Sequence, residues 1–110
     1  MQIKQRKMDQ VVIVELSGEI DINTSPLVRK TFDQLIKQQE QKVLLNFSQV
    51  SYIDSSGLAT LVEMLKRLRR FGGNLRLCNL SEKVKGLFEI TKLDKLFQIF
   101  PEEEQALREF

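Results

Sequence analysis

The stretch "SYIDSSGLATLVEMLKRL", residues 51–68, joins an apolar run to a helix pattern through an acid, two hydroxyls and a glycine. Ser55, Ser56 and Gly57 are poor residues for a helix interior, yet they open the most regular helix pattern in the chain. In this stretch an apolar run ends at Ile53, and the pattern that follows predicts a helix that begins almost at once. The functional question is whether the hydroxyls do more than start that helix.

The predicted helix has two contrasting sides and ends at about Phe71, before a pair of glycines. Apolar residues at helical spacing form one stripe, with Met64 on its border: Leu58, Leu61, Val62, Leu65 and Leu68. The opposite strip is small and polar: Ser56, Ala59, Thr60, Glu63 and Arg67. We expect the apolar stripe to pack on a sheet. We expect the polar strip to face outward, with Ser56 at its N-terminal tip, where a partner can bind it.

Strands and helices alternate along the rest of the chain. Extended runs are predicted at residues 2–8, 11–17, 42–47, 74–80 and 96–100, and further helices at 24–39, after Ser81 and at 101–110. The order β-β-α-β-α-β-α-β-α implies a largely parallel sheet with right-handed crossovers. We therefore predict an α/β fold, one domain over residues 1–110. Its mixed, mostly parallel sheet has an N-terminal antiparallel hairpin and about four flanking helices.

The helix ends carry their own sequence signals. Ser25 is a favourable N-cap, and Pro26 would then occupy the first helical position. Ser81 is expected to cap the short third helix. Pro101 is expected to open the last helix, where the glutamates that follow complement the positive end of the helix dipole.

Composition and length describe an ordinary globular domain. The chain has 110 residues, of which 29% are charged and 42% hydrophobic. No apolar run approaches the roughly 20 residues of a membrane span, and the N-terminus lacks the apolar core of a signal peptide. The single cysteine, Cys78, cannot form an internal disulfide. These features favour a cytoplasmic protein that does not enter a membrane.

Two absences exclude whole classes of function. The chain has no histidine, so a Ser-His-Asp triad, a Cys-His pair and a typical zinc site cannot form, and we predict no metal site and no catalytic residue. The net charge is only +2. The densest basic cluster, "KRLRR" at residues 66–70, falls at a predicted helix C-terminus, where cations complement the helix dipole. We therefore expect no direct contact with nucleic acid.

The two serines of "DSSG" have three interpretations. A helix cap at Asp54 or Ser55 explains one such residue but not three. A nucleophile at Ser56 needs a glycine two positions earlier, where Asp54 stands, and a histidine base that the chain lacks. A phosphoacceptor serine fits better, because free backbone N–H groups at a helix N-terminus can cradle an added phosphate.

The motif "DSSGLATL", preceded by "VLLNFSQVSYI" and by "VVIVELSGEID", closely resembles the STAS-domain family of anti-sigma factor antagonists. The resemblance covers essentially the whole chain, including the late segment "LFEITKLDKLFQIF". It implies a mixed sheet flanked by helices and a phosphorylation site at Ser56, the serine before the motif glycine. It also implies that Asp21 lies near that serine. Asp54, Ser55 and Gly57 would then support the phosphosite.

The resemblance further implies a partner-switching mechanism. The unmodified antagonist would bind an anti-sigma factor that is also an ATP-dependent serine kinase, and the sigma factor would be released. The kinase would then phosphorylate the antagonist, which dissociates, and a PP2C-type phosphatase would restore it. We expect a binding protein and kinase substrate rather than an enzyme, without a cofactor. Four residues of the polar strip are the expected partner contacts: Ala59, Thr60, Glu63 and Arg67.

Two other functions remain open on the sequence. A stand-alone STAS subunit that regulates a transporter or a stress-signalling complex would keep the same fold. A phosphorelay receiver is also an α/β domain of this size, but it needs an acid cluster after its first strand and a phosphoaccepting aspartate. Here Asp54 is followed at once by hydroxyls, and the first strands form a hairpin. The chain has no glycine-rich phosphate loop, so the sequence leaves open whether a nucleotide binds.

Overall fold

The computed structural model describes residues 1–108 and 110, and its elements follow the predicted order. The strands are β1 (Gln2–Met8), β2 (Val11–Ile20), β3 (Lys42–Ile53), β4 (Asn74–Cys78) and β5 (Gln98–Phe100). The helices are α1 (Ser25–Lys37), α2 (Ser55–Arg70), α3 (Glu82–Ile90) and α4 (Glu103–Leu107), with a short 3₁₀ helix at Leu93–Lys95. Within these described residues, no helix is long and apolar enough to cross a membrane.

The five strands form one mixed sheet in the order β1-β2-β3-β4-β5. β1 and β2 are antiparallel and are joined by Asp9 and Gln10, whose φ angles are 50° and 71°. Two successive positive φ angles are typical of a type I′ turn, whose twist matches that of the flanking strands. β2 to β5 are parallel, so each connection between them is a crossover that contains a helix. The predicted α/β fold with an antiparallel edge is confirmed.

The two faces of the sheet are covered unequally. α1, α2 and α3 pack on one face, against strand residues such as Val14, Leu45 and Leu77. α4 covers part of the other face, where Ala106 packs on a smaller apolar cluster of Val11, Ile13, Leu44 and Cys78. Because side chains alternate along a strand, neighbouring apolar residues of β3 serve the two different cores. This explains why the first half of β3 has three consecutive buried apolar residues, Val43, Leu44 and Leu45.

The apolar stripe of α2 packs against the sheet as predicted. Leu61, Leu65 and Leu68 are fully buried, and Met64, predicted at the border, is also buried at 1% exposure. The helix ends at Arg70, next to the predicted end, with Phe71 as its C-cap. Its N-terminus, with the hydroxyl residues, is therefore held firmly against the sheet.

The predicted start of α1 is wrong by one residue. Thr24 is the N-cap, so Ser25 is the first helical residue and Pro26 the second. The Ser25 hydroxyl does not cap the helix but donates to the backbone carbonyl of Asp21 at 2.7 Å. This hydrogen bond keeps Ser25 inside the molecule, at 6% exposure.

Several other boundaries also differ from the prediction: β2 extends to Ile20, α1 ends at Lys37, β4 ends at Cys78 and β5 begins at Gln98. β3 continues past Phe47 to Ile53, because its second half pairs with β2 across two register shifts. α4 begins at Glu103 rather than at Pro101, because the intervening residue is extended, and only two of the three glutamates lie in its first turn. The predicted helix included Glu109, which lies outside the described residues.

Candidate functional site

The candidate site lies where two strands end and two helices begin. β2 ends at Ile20 and β3 ends at Ile53, at neighbouring positions on one edge of the sheet. The amide of Asp54 donates to the carbonyl of Ile20 at 3.0 Å, which ties the chain leaving β3 to the end of β2. The first residues of α1 and α2 are thereby brought side by side, with Ser25 next to Ser56.

The Ser56 hydroxyl is fixed by two polar neighbours. It donates to Asp54 Oδ1 at 2.7 Å, and its oxygen lies 3.2 Å from Ser25 Oγ. Ser25 directs its own hydrogen to the Asp21 carbonyl, so with these donors the buried Ser25 is a close polar contact of Ser56 and not a hydrogen-bond donor to it. Ser56 therefore has an oriented hydroxyl at the tip of α2.

Asp54 organises the start of α2 through both carboxylate oxygens. Oδ1 accepts the Ser56 hydroxyl and the Gly57 amide at 3.0 Å, which makes Asp54 the side-chain N-cap of the helix. Oδ2 accepts the amide of Ile22 at 3.2 Å. The hydrogen bond from Ser56, together with that from the Gly57 amide, lowers the pKa of Asp54 below its ordinary value. Asp54 is therefore an anion at neutral pH.

Asp21 acts through both its carboxylate and its backbone. Its Oδ1 accepts the amides of Asn23 and Thr24, at 2.9 and 3.0 Å, and so stabilises the turn before α1. Its link to Ser56 runs through its backbone carbonyl and the Ser25 hydroxyl. The resemblance implied that Asp21 lies near Ser56, and this backbone link is how the two residues are connected here. It is the Asp54 carboxylate that both caps α2 and accepts the Ser56 hydroxyl.

Gly57 allows the tip of α2 to approach the strand ends. A Cβ atom there would lie 2.7 Å from Ile53 Cγ1, 2.8 Å from Ile20 Cγ2 and 2.9 Å from the Ile20 carbonyl oxygen. Real Cβ contacts are essentially never below 3.0 Å. The glycine of the motif is therefore required by close packing and is not an accident of the sequence.

The exposure of the two serines differs from our expectation. Ser55 is exposed, whereas Ser56, expected at an exposed tip, is partly buried beside α1. The neighbouring Ser25 and the Asp54 cap account for this burial. The less accessible hydroxyl is thus the one with oriented hydrogen bonds.

Three of the four expected partner contacts are available on the surface of α2. Ala59 and Glu63 are exposed and Arg67 is partly so. Thr60 was wrongly placed on the exposed strip: it is 1% exposed, because α1 packs over it. Its hydroxyl donates to the Ser56 carbonyl at 3.0 Å. In this conformation Thr60 can support the backbone at Ser56, but it cannot contact a partner.

Charged residues of α1 pair with the polar strip. Arg29 lies 3.1 Å from a Glu63 carboxylate oxygen, and Arg67 pairs with Asp33. Exposed ion pairs of this kind contribute about 0–1 kcal/mol each, so a partner can replace them at little cost. The surface suited to docking therefore includes the seam between α1 and α2.

Sequence reasoning missed Ser25 and Ile22 as parts of this site. Ser25 was assigned to a cap, and the serine-proline pair gave no sign that its hydroxyl faces another helix. Ile22 follows the "GEID" motif, and an isolated apolar residue in a turn was the signal that could have identified it. Within residues 1–108 and 110, no group of three or more histidine, cysteine or acidic side chains could hold a metal ion.

Together, the fold and the site describe a small α/β domain that presents an oriented serine hydroxyl at a helix N-terminus. Residues 2–106 match the STAS domain family, and the chain belongs to that family. It is 32% identical over 110 residues to the anti-sigma F factor antagonist of Paenibacillus polymyxa, which covers 99% of this chain and 94% of that protein. It is 35% identical over 106 residues to the anti-sigma-B factor antagonist of Bacillus subtilis (strain 168), with coverage of 96% and 94%.

A solved structure shows the same architecture. It is a crystal structure from Thermotoga maritima, of a protein proposed to be an anti-sigma factor antagonist. The two structures agree with a TM-score of 0.93 at 30% sequence identity, over 97% of this chain and 92% of the other.

Proposed function

We propose that this chain, acting as one STAS domain over residues 1–110, is a cytoplasmic anti-sigma factor antagonist. In its unmodified form it binds an anti-sigma factor that has serine kinase activity, and the sigma factor is released. Phosphorylation of Ser56 ends the complex, and a PP2C-type phosphatase restores the antagonist. The observation that carries the proposal is the Ser56 hydroxyl, held by Asp54 at the tip of α2 in a chain whose relatives bear this name.

Phosphorylation would transfer the γ-phosphoryl group of ATP to Ser56 Oγ. The Oγ–P bond forms, the bond from the γ-phosphorus to the bridging oxygen breaks, ADP leaves, and the hydroxyl proton passes to a base. Asp54 has a lowered pKa and is therefore a weak base, so the kinase must supply that base. Asp54 instead orients the hydroxyl, because donation to its carboxylate leaves the oxygen lone pairs facing away from it.

The orientation also explains why Ser56 rather than Ser55 is the acceptor in this proposal. Within the described residues, the Ser55 hydroxyl makes no hydrogen bond that would fix it. A kinase that meets a rigid helix tip gains from an acceptor already held in position. Exposure alone would favour Ser55.

An added phosphate opposes binding through charge. It brings about −1.5 to −2 charges next to the Asp54 carboxylate. A partner docked over Ser56 would have to remove water from both anions, which costs several kcal/mol, or two or more decades of affinity. The unmodified hydroxyl imposes no such cost.

The test begins with co-purification of the wild-type chain from its native organism, and mass spectrometry then identifies the bound kinase and the phosphosite. The purified kinase with ATP should phosphorylate wild type and Ser55→Ala but not Ser56→Ala. In binding titrations Ser56→Ala should bind like wild type, and Ser56→Asp at least about 100-fold more weakly. Equal affinity of Ser56→Asp and wild type would remove Ser56 from the switch. A modification lost in acid would indicate an acyl phosphate and a receiver instead.

A further inference from the structure

Ile22 is an apolar side chain displayed on the surface beside Ser56. It lies in the turn between β2 and α1 and is 72% exposed. Among the large apolar side chains of the described residues, only Ile90 is more exposed, at 80%. Single exposed apolar residues are common, so exposure alone assigns no role to Ile22.

The turn that displays Ile22 is held on both sides. The carboxylate of Asp21 accepts the amides of Asn23 and Thr24, the two residues that follow Ile22. Thr24 Oγ1 accepts the Asp21 amide at 2.9 Å and donates to the Glu19 carbonyl at 2.7 Å. The backbone around Ile22 is therefore ordered before any partner arrives, which lowers the entropy lost when the side chain is bound.

One carboxylate connects Ile22 with Ser56. Asp54 Oδ2 accepts the Ile22 amide at 3.2 Å, while Oδ1 accepts the Ser56 hydroxyl at 2.7 Å. A kinase that transfers a phosphoryl group must bring its catalytic cleft to Ser56 Oγ. Protein interfaces cover about 800 Å² on each partner. Ile22 is separated from Ser56 only by the Asp54 carboxylate, so a kinase docked over Ser56 would also cover Ile22.

We propose that Ile22 is an apolar anchor for the kinase and that Asp54 couples it to the modification state of Ser56. This inference rests on the proposed function, because the occupant is the kinase domain that phosphorylates Ser56. The kinase should offer an apolar pocket beside its ATP site for this side chain. A few residues that fill desolvated pockets near the centre of an interface carry most of its affinity.

Phosphorylation changes this coupling directly. The Ser56 oxygen exchanges its hydrogen for phosphorus, so it can no longer donate to Asp54 Oδ1. The new negative charge repels the Asp54 carboxylate, whose Oδ2 holds the Ile22 amide. Phosphate on Ser56 therefore loosens the anchor in addition to adding charge.

The first test compares two isoleucines of similar exposure. Ile22→Ala should raise the Kd for the purified kinase, and the KM of the phosphorylation reaction, by about tenfold or more, with kcat unchanged. Ile90→Ala at the end of α3 is the matched control and should leave both values as in wild type. Both variants should unfold at the same urea concentration as wild type, because both side chains are mostly exposed.

The second test follows backbone amides by hydrogen exchange in the unmodified and the phosphorylated chain. The Ile22 amide should exchange faster after phosphorylation, whereas the Asn23 amide, which donates to Asp21, should not change. Equal exchange of Ile22 in both forms would overturn the coupling. If wild type is phosphorylated at Ser56 and Ile22→Ala behaves like Ile90→Ala, the anchor is refuted while the proposed function stands. If no kinase binds wild type, the proposed function fails, and the inference fails with it.

Discussion

Gly57→Ala tests the close packing that holds the tip of α2 on the sheet. The new methyl group would lie 2.7 Å from Ile53 Cγ1 and 2.9 Å from the Ile20 carbonyl oxygen. The Ile53 side chain can turn aside, but the carbonyl belongs to the last residue of β2 and accepts the Asp54 amide. The helix tip must therefore move outward by several tenths of an ångström to relieve the contact.

Two effects of opposite sign decide the stability of this variant. Alanine is favoured over glycine in a helix interior by about 1 kcal/mol, and the preference is smaller in the first turn. Inserting a methyl group into a packed site costs about 1–3 kcal/mol. The packing cost exceeds the gain because one of the close atoms is backbone, so we expect a net loss of about 1–2 kcal/mol. For a domain of this size that corresponds to a fall in Tm of roughly 4–12 °C.

Gly86→Ala is the matched control within the same chain. Gly86 lies inside α3, and a Cβ atom there would have no heavy atom within 4 Å. Only the helix preference then acts, so this variant should be more stable than wild type by about 0.5–1 kcal/mol. Urea unfolding and thermal melting of the three proteins measure the difference. If Gly57→Ala is as stable as Gly86→Ala, close packing is not the reason for the motif glycine.

Three further outcomes are expected. Asp54→Ala should lower the free energy of unfolding by about 0.5–2 kcal/mol, because the helix loses its side-chain cap. Asp21→Asn should lower it by less, because asparagine keeps a side-chain oxygen that can accept the same amides. The pKa of Asp54 in the folded chain lies below its ordinary value of 3.8. The stabilisation by the ionised carboxylate is therefore present above pH 3.8 and is lost as the pH falls through the folded pKa. In urea unfolding at decreasing pH, the free energies of unfolding of wild type and Asp54→Ala should converge. Phosphorylation of Ser56 should change stability by no more than about 1–2 kcal/mol, and loss of hydrogen-exchange protection across the sheet would contradict this. Burial raises the pKa of Cys78 to about 12, so a thiol reagent should label it only after unfolding, and rapid labelling of the folded chain would show that α4 opens.

The sequence predicted the fold because local and long-range signals agree in this chain. β3 is apolar on both faces, which is typical of a central parallel strand, and α2 shows one clear stripe. The errors fall at element ends, where several residues compete for one role. At the start of α1, threonine and serine are both residue types that can serve as the N-cap. Thr24 occupies the N-cap position, whereas the hydroxyl of Ser25, the first helical residue, donates to the Asp21 carbonyl.

The site was harder to predict than the fold, because its parts come from different elements. The helical periodicity of α2 placed Thr60 on the outer side of that helix. Periodicity within one helix contains no information about α1, which packs over Thr60 and buries it. Likewise, no pattern within α1 shows that Ser25 faces Ser56 across two helix starts. Residues of one motif could be assigned from spacing alone. Contacts between motifs needed the register of β2 on β3.

In the proposed switch, the position of Asp54 would allow one phosphate to change binding without unfolding the domain. Its carboxylate already accepts the Gly57 amide, so the attraction of the helix N-terminus for an anion is partly satisfied before phosphorylation. Behind that tip lie Ile20 and Ile53, which are buried and uncharged. Each electrostatic term inside the domain then stays near 1 kcal/mol, with attraction and repulsion opposed. For a docked partner these attractive and repulsive terms would not cancel. The partner would have to cover both the phosphate and the Asp54 carboxylate, where the unmodified chain presents a neutral hydroxyl. In the proposed switch, the Asp54 carboxylate that orients Ser56 is thus also the neighbouring anion that would make the phosphorylated product unsuitable for binding.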